Sequence, residues 1–313
     1  MRDARLAAVE WRDLAALNRV EVARELALPF VALAAALLAG AVRCWPLFVL
    51  ASGAMFMLGL RVTHGGFHRA IGLRGKANDA VLFVLSALLG GSMHAIEVTH
   101  RRHHRDSLAD DDVEGRIAAL GFWRALAASP CYPFAIHRAA WRHGSLRQRR
   151  WIAAELTAVA IVQALVWRSG SAVAAGIALT LYAANALAAM PGIWLVHRGC
   201  IHGDAAIARS TRARWLARLT AGMLHHAEHH AFPGVPTCRL AELARRIDAL
   251  GATPPPIGGF STAPVDDPVD KFWIDIRKRP RHAAVKRGWA RFDQTSARWR
   301  VRRPVRRSSA RPC

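Results

Sequence analysis

Leu26–Val42 reads LALPFVALAAALLAGAV and Cys44–Leu60 reads CWPLFVLASGAMFMLGL, two runs of 17 residues without a charge, parted by Arg43 alone. At 1.5 Å per helical residue each covers roughly 25 Å, the short end of a transmembrane helix, so the pair predicts a tight hairpin through a bilayer. A later pair repeats the design. Trp151–Trp167 holds one charge, Glu155; Ala172–Val196 holds none; Arg168-Ser169-Gly170-Ser171 joins them. Four such runs rarely coexist in one soluble domain. The expected fold class is all-α: a polytopic membrane protein with four transmembrane helices in two hairpins.

The rest of the chain is read around those runs. Of 313 residues, 53% are hydrophobic before Gly is counted, which excludes disorder as a global description. The five cysteines are scattered and form no CxxC, so neither a disulfide framework nor a Cys-based zinc site is expected. The formal charge is +22, from 44 Lys and Arg against 22 Asp and Glu, and it is segregated. Four spans put both termini and all of 61–150 on one side. Segment 61–150 carries 14 Lys/Arg and 277–313 another 14, whereas the opposite loops offer Arg43 and Arg168. The positive-inside rule makes the basic side cytoplasmic. Charge alone fits a nucleic-acid role, but in a chain mostly embedded in a bilayer no nucleic-acid partner is expected.

The expected organisation has three parts. In 1–25, Leu6, Val9, Leu14 and Leu17 recur at helical spacing, predicting an amphipathic surface helix. A membrane domain spans 26–250. A Pro-rich linker and basic tail, 251–313, reads as disordered. Asp79–Met93 is apolar but only 15 residues long. A crossing there would split the histidines between two sides, so it reads as re-entrant or interfacial.

Those histidines number 15 and fall largely into clusters: His64-Gly65-Gly66-Phe67-His68, His100-Arg101-Arg102-His103-His104, and His226-Ala227-Glu228-His229-His230. On a helix, positions i, i+3 and i+4 share a face, so each cluster aims imidazoles one turn apart in one direction. Each follows an apolar segment and lies on the same predicted side. Eight rings are too many for one metal and suit two; imidazole serves Fe, Zn, Cu and Ni alike. His94, His202 and His225 stand near the clusters. His137, His143 and His282 read as surface residues. Asp110, Asp111 and Asp112 stand where carboxylates could orient the ring N–H groups, or where a solvated acidic loop could lie. Glu228 falls off the ligand face of its cluster. Within Ala172–Val196, Asn185 suits an interhelical hydrogen bond.

Over about residues 26–250 the chain resembles the integral-membrane fatty acid desaturase superfamily, including its carotenoid ketolase and hydroxylase relatives. HHAEHHAFPGVPTCRLAEL (His225–Leu243) is similar to the third desaturase box with its FPxxPxxxLxxL continuation. THRRHHRDSLADDD (Thr99–Asp112) looks like the second box and THGGFH (Thr63–His68) like the first. The resemblance implies a non-heme di-iron centre held by His64, His68, His100, His103, His104, His226, His229 and His230. It adds His197, a lone histidine after the last span and before the third box. It implies O2 as co-substrate, a lipid or fatty acyl chain entering from the bilayer, and electrons from a separate carrier such as a ferredoxin. The expected reaction is introduction of a double bond into an acyl chain. Desaturases often carry Asn four residues before the lone histidine; here that residue is Ile193, and GIWLVHR (Gly192–Arg198) looks closer to the ketolases. A carotenoid or other lipid hydroxylase/ketolase is therefore the alternative. A non-catalytic zinc-binding or zinc-transporting protein is more remote, because the charge-free runs hold no histidine to carry an ion across.

Overall fold

The computed structural model describes residues 4–203, 206–257, 290–293 and 298–301. Two compact units divide the chain after Val269. The described part of the first unit is built of helices and turns: α1 (Arg19–Ala41), α2 (Trp45–Phe67), α3 (Gly75–Leu89), α4 (Met93–Arg105), α5 (Phe122–Ala128), α6 (Tyr132–His143), α7 (Leu146–Arg168), α8 (Ala172–Leu187), α9 (Leu195–His197), α10 (Arg214–Leu219), α11 (His226–Ala231) and α12 (Leu240–Ala249).

Local chemistry marks where the long helices begin and reverse. Asn18 and Glu21 form a capping box that starts α1, and Ser145 with Gln148 does the same for α7. The α1–α2 reversal puts Arg43 in the left-handed region, with φ 58°, and the α7–α8 reversal uses Gly170, with φ 65°. Among the described residues, four stretches are long and apolar enough to cross a membrane: α1, α2, α7 and Ala172–His197, which includes α8 and α9. Only 11% of the apolar window of α7 is buried, against 44% for α2, so α2 is the inner span and α7 a peripheral one. Exposed Leu47, Leu50, Ile161 and Leu165 suit a hydrocarbon surround.

α3 and α4 meet at a bend of 109°. α3 packs on α2 where Gly59 has no side chain; a Cβ there would lie 2.7 Å from Leu89 Cδ2. Leu82, Leu85 and Leu89 join Met55 in the membrane-side core. Asn185 of α8 donates to the Leu89 carbonyl at 2.8 Å, capping α3 from the neighbouring helix.

Three expectations differ from what forms. α2 continues past Leu60 to Phe67 and so carries Arg61 and His64. The charge is tolerated because Arg61 grips Glu25 of α1 with two bonds, at 2.7 and 2.6 Å. Residues 1–25 are not one amphipathic helix. They form 3-10 turns at Ala4–Ala8 and Arg12–Ala15 before α1 begins, and Val9 and Leu14 are buried against Leu240, Leu243 and Ile247 beneath α12. The opening of the Pro-rich segment is tied down. Ser210 N–H donates to the Pro255 carbonyl and Ile257 N–H to the Ser210 carbonyl, each at 3.0 Å. In the second unit, Ala290–Asp293 and Arg298–Val301 pair as antiparallel strands, with Ala290 opposite Val301. The rest of the basic tail, with His282, Trp273 and Trp289, lies outside the described residues.

Candidate metal centre

The nine histidines arrive on four pieces of backbone. α2 supplies His64 in its last turn and His68 as its C-cap. The sharp α3–α4 bend turns α4 back so that His100, His103 and His104 face the same end of the fold. A wide π turn, Met190–Trp194, containing Pro191, precedes α9 and re-aims His197. α11 brings His226, His229 and His230.

All nine histidines named from the sequence come together. They form two groups in which one ring nitrogen of each member lies within 4.8 Å of the others: His64, His68, His100, His104 and His229, and then His103, His197, His226 and His230. Helical spacing explains the partition. On α4, His100 and His104 are i and i+4 and serve one group while His103 serves the other. On α11, His226 and His230 share a group and His229 crosses over. The HxxHH spacing thus lets each helix contribute to both groups, and the His104 and His230 rings, 4.1 Å apart, lie between them.

Hydrogen bonds to the outer nitrogens fix which inner nitrogens carry lone pairs. His103 Nδ1 meets Asp112 Oδ2 at 2.7 Å and His197 Nδ1 meets the Ile207 carbonyl at 2.7 Å. Oxygen accepts in both, so each neutral ring holds its proton on Nδ1. The two Nε2 atoms face each other at 3.1 Å. His226 Nε2 comes within 3.0 Å of His197 Nε2 and 3.1 Å of His230 Nε2. In the other group His229 Nε2 and His104 Nε2 are 2.9 Å apart. Such crowding is what ligands of one ion show. With metal–nitrogen bonds near 2.0–2.1 Å, neighbouring ligand atoms sit about 2.9–3.4 Å apart. Buried His64 Nδ1 and Nε2, His68 Nε2, His100 Nε2 and His230 Nδ1 have no hydrogen-bond partner, which also fits a cation-binding donor set.

Burial favours the neutral, coordinating form at five of the rings. It pushes His68, His104, His226, His229 and His230 well below the usual imidazole range, helped by the neighbouring imidazoles. His103 goes the other way. Burial lowers it, but the bond and charge of Asp112 outweigh that and raise its pKa. Asp112 is correspondingly held below the usual carboxylate range despite burial.

Of the three candidate carboxylates, Asp112 alone orients a ring. Asp111 pairs with Arg102 at 3.2 Å at the surface, and Asp110 offers its backbone carbonyl to Arg116. The residue missed was Glu114. It is buried, and it meets His100 Nδ1 at 3.1 Å and Thr99 Oγ1 at 2.7 Å. Its signal was present, since Asp110-Asp111-Asp112-Val113-Glu114 is one acidic run. Glu228, off the ligand face, is buried. It accepts from Ser210 Oγ and pairs with Arg212 at 2.8 Å, holding the back of α11. His94, His202 and His225 join neither group. His202 Nδ1 donates to the Ser107 carbonyl, and His225 is the N-cap of α11. His137, read as a surface residue, accepts from Ser92 N–H at 3.0 Å and supports the start of α4.

The FPxxPxxxLxxL leucines have a structural use. Leu240 and Leu243 are buried under α12 beside Val235, so the segment after α11 anchors the third cluster to the protein core. The fatty acid desaturase family matches residues 43–257, which take in α2 to α12 and every histidine of both groups. No curated protein matches the chain. With 215 of 313 residues covered, the chain belongs to the fatty acid desaturase family and is an integral membrane, desaturase-like oxidoreductase.

Proposed function

We propose that the nine histidines hold two irons, five rings around one and four around the other, and that the protein introduces a double bond into a fatty acyl chain. The observation that carries this is the gathering of nine histidines into two groups, in each of which one ring nitrogen per member lies within 4.8 Å of the others, with His103 Nε2 and His197 Nε2 3.1 Å apart. Two irons there would supply the O2-dependent oxidising power that removing hydrogen from an unactivated methylene demands and acid–base side chains lack.

The chain's own residues set the stage. Asp112, Glu114 and the Ile207 carbonyl fix proton positions and ring orientations at His103, His100 and His197. Seven of the nine histidines are buried and His68 and His104 are half-buried, which restricts bulk water. The acyl chain enters laterally from the bilayer. Electrons come from a separate acidic carrier of ferredoxin type, steered by the basic side of the protein. That side, with the histidines and both termini, is cytoplasmic by the positive-inside argument.

One observation favours a second reading, a carotenoid or other lipid hydroxylase/ketolase. Ile193 is buried and apolar one turn before His197, where a desaturase often carries Asn. Expression of the wild type and His229→Ala in a host of defined lipids, and again in a carotenoid-producing host, separates the two. New acyl double bonds formed only by the wild type support desaturation. Oxygenated pigment with unchanged acyl chains overturns it in favour of the second reading.

A further inference from the structure

Between Glu114 and Glu155 the chain carries seven arginines and no acidic residue. The middle of that stretch folds as α5, a 3-10 turn at Ser129–Cys131, and α6. None of these is a span, and none holds any of the nine histidines. α6 has two unlike faces. Ile136 and Ala140 are buried, and Ala140 packs with Ala95, Val98 and Ile152. Phe134, Arg138 and Trp141, spaced i, i+4 and i+7, fall on the opposite side of the helix, where Phe134 is 78% exposed and Trp141 49%. α5 repeats the arrangement on a smaller scale: Ala125 and Ala128 are buried while Trp123 is 77% exposed. Three large aromatic rings left open among cations mark a surface that meets something apolar.

The spans set the depth of that surface. The Ser129–Cys131 turn and α6 both pack on α8. α5 packs on the Met190–Trp194 π turn at the end of the same span, where Phe122 meets the Trp194 ring edge-on at 5.5 Å. α6 stops at His143, and α7, another span, begins at Leu146. α6 also packs on α4, the helix that carries the second histidine cluster. Both short helices therefore lie beside the ends of two spans, on the side of the histidines, at the level where a bilayer passes from hydrocarbon to headgroups. Tryptophan and cationic side chains belong at that level. Arg138 and Arg142, i and i+4 on α6, supply the charge, and neither forms an ion pair with a carboxylate among the described residues. A dock for an acidic, water-soluble carrier would use the arginines and leave the rings in water. An anionic lipid surface uses both.

We infer that α5 and α6 form an in-plane foot on the bilayer: Trp123, Phe134 and Trp141 dip into the boundary between headgroups and acyl chains, and Arg138 and Arg142 hold the phosphates of anionic phospholipids. Helices of this make bind a leaflet by buried apolar area and by attraction to its charge together. The inference uses none of the nine histidines, so it stands or falls apart from the reaction.

The test reads lipid contact, not turnover. The photo-crosslinking residue p-benzoylphenylalanine replaces Trp123 or Phe134 in the full chain, and Asp111, exposed in the acidic turn after α4, as the control position. Each protein is reconstituted in phosphatidylcholine nanodiscs with a minor share of phosphatidylglycerol, irradiated, and its adducts identified by mass spectrometry. Positions 123 and 134 should give phospholipid adducts and position 111 none. Phosphatidylglycerol should be enriched among the adducts by about fivefold over its share of the bilayer, the scale of one arginine near an anionic surface. Arg138→Gln with Arg142→Gln should return the adducts to the composition of the bilayer while labelling continues and the melting temperature stays at the wild-type value. Absence of lipid adducts at both positions, or adducts without phosphatidylglycerol enrichment, overturns the inference. Crosslinks to a second copy of the chain overturn it in favour of a protein interface. Loss of the lipid adducts on adding an acidic ferredoxin, with crosslinks to the ferredoxin in their place, overturns it in favour of a carrier dock.

Discussion

Asp112 gives the sharpest test of the reading that ring orientation matters to the metal centre. Its Oδ2 takes the His103 Nδ1 proton at 2.7 Å and the Leu108 N–H at 2.8 Å, while Oδ1 takes the Glu114 N–H at 3.1 Å. One carboxylate therefore fixes a ring, closes the turn after α4 and positions the backbone of a second ring-orienting residue. Partners of metal-bound histidines are worth roughly 10–100-fold in metal affinity, about 1.4–2.7 kcal/mol. Asp112→Asn can keep its oxygen toward His103 and Leu108, but its NH2 then faces the Glu114 N–H and the charge is gone. It belongs near the tenfold end. Asp112→Ala loses all three bonds and belongs near the hundredfold end. Metal affinity measured by chelator competition, with circular dichroism as the folding control, should rank wild type above Asn above Ala. If both variants bind within about twofold of wild type while His103→Ala loses metal, the reasoning is refuted, because second-partner effects of that size are the premise.

Other expectations follow from the same contacts. Glu114→Ala strips Thr99 and His100 of their acceptor and should lower metal affinity about tenfold or more, read in the same competition assay. Gly59→Val puts a branched side chain against Leu89, 2.7 Å from where a Cβ begins, and should destabilise by about 1–3 kcal/mol, seen as a lower melting temperature. Glu155→Ala leaves Ser92 Oγ, His94 N–H and His94 Nδ1 without their shared acceptor inside a span, costing about 3–5 kcal/mol; yield and melting temperature should both fall. In metal-stripped protein, His68, His104, His226, His229 and His230 titrate below the ordinary 6.5, so the unfolded chain takes up protons first as pH falls. Stability should drop below pH 6.5, by up to about 1.4 kcal/mol per pH unit per ring. His103 works in the opposite sense. Its raised pKa adds stability that is full below 6.5 and is lost as pH climbs through its folded value, so it acts above 6.5 and leaves the acid-side drop in place. A melting temperature that rises between pH 6.5 and 5.5 would contradict this.

Much of the fold is legible because a bilayer imposes a length and bans unpaired charge. The four spans follow from that alone, and the short Asp79–Met93 run could not cross without splitting the histidines. The rule also shows where reading stops early. It ends α2 at Leu60, since Arg61 counts as a break; only the fold reveals that Glu25, 36 residues away, neutralises it. The N-terminal segment fails for a related reason. Leu6, Val9, Leu14 and Leu17 satisfy a helical period, but α12 offers Val9 and Leu14 a better apolar surface than a helix stripe would.

The histidines themselves are legible because metal ligation forces several of one residue type into helical spacing, and spacing is written in sequence. What orients them is not, because an acceptor needs only to be an oxygen within reach. The Ile207 carbonyl has no side-chain signature at all, and Glu114 is separated from Asp112 by one residue yet serves a different ring. Ser210, 18 residues before Glu228, fixes the back of α11 through a contact that no periodicity announces. The asymmetry has a consequence for variants of this protein. Replacing a histidine removes one donor to one group. Replacing Asp112 changes a ring in the four-histidine group and, through the Glu114 backbone, a ring in the five-histidine group as well. The two groups are coupled through the acidic turn after α4, so a double variant of Asp112 and Glu114 should cost less than the sum of the singles.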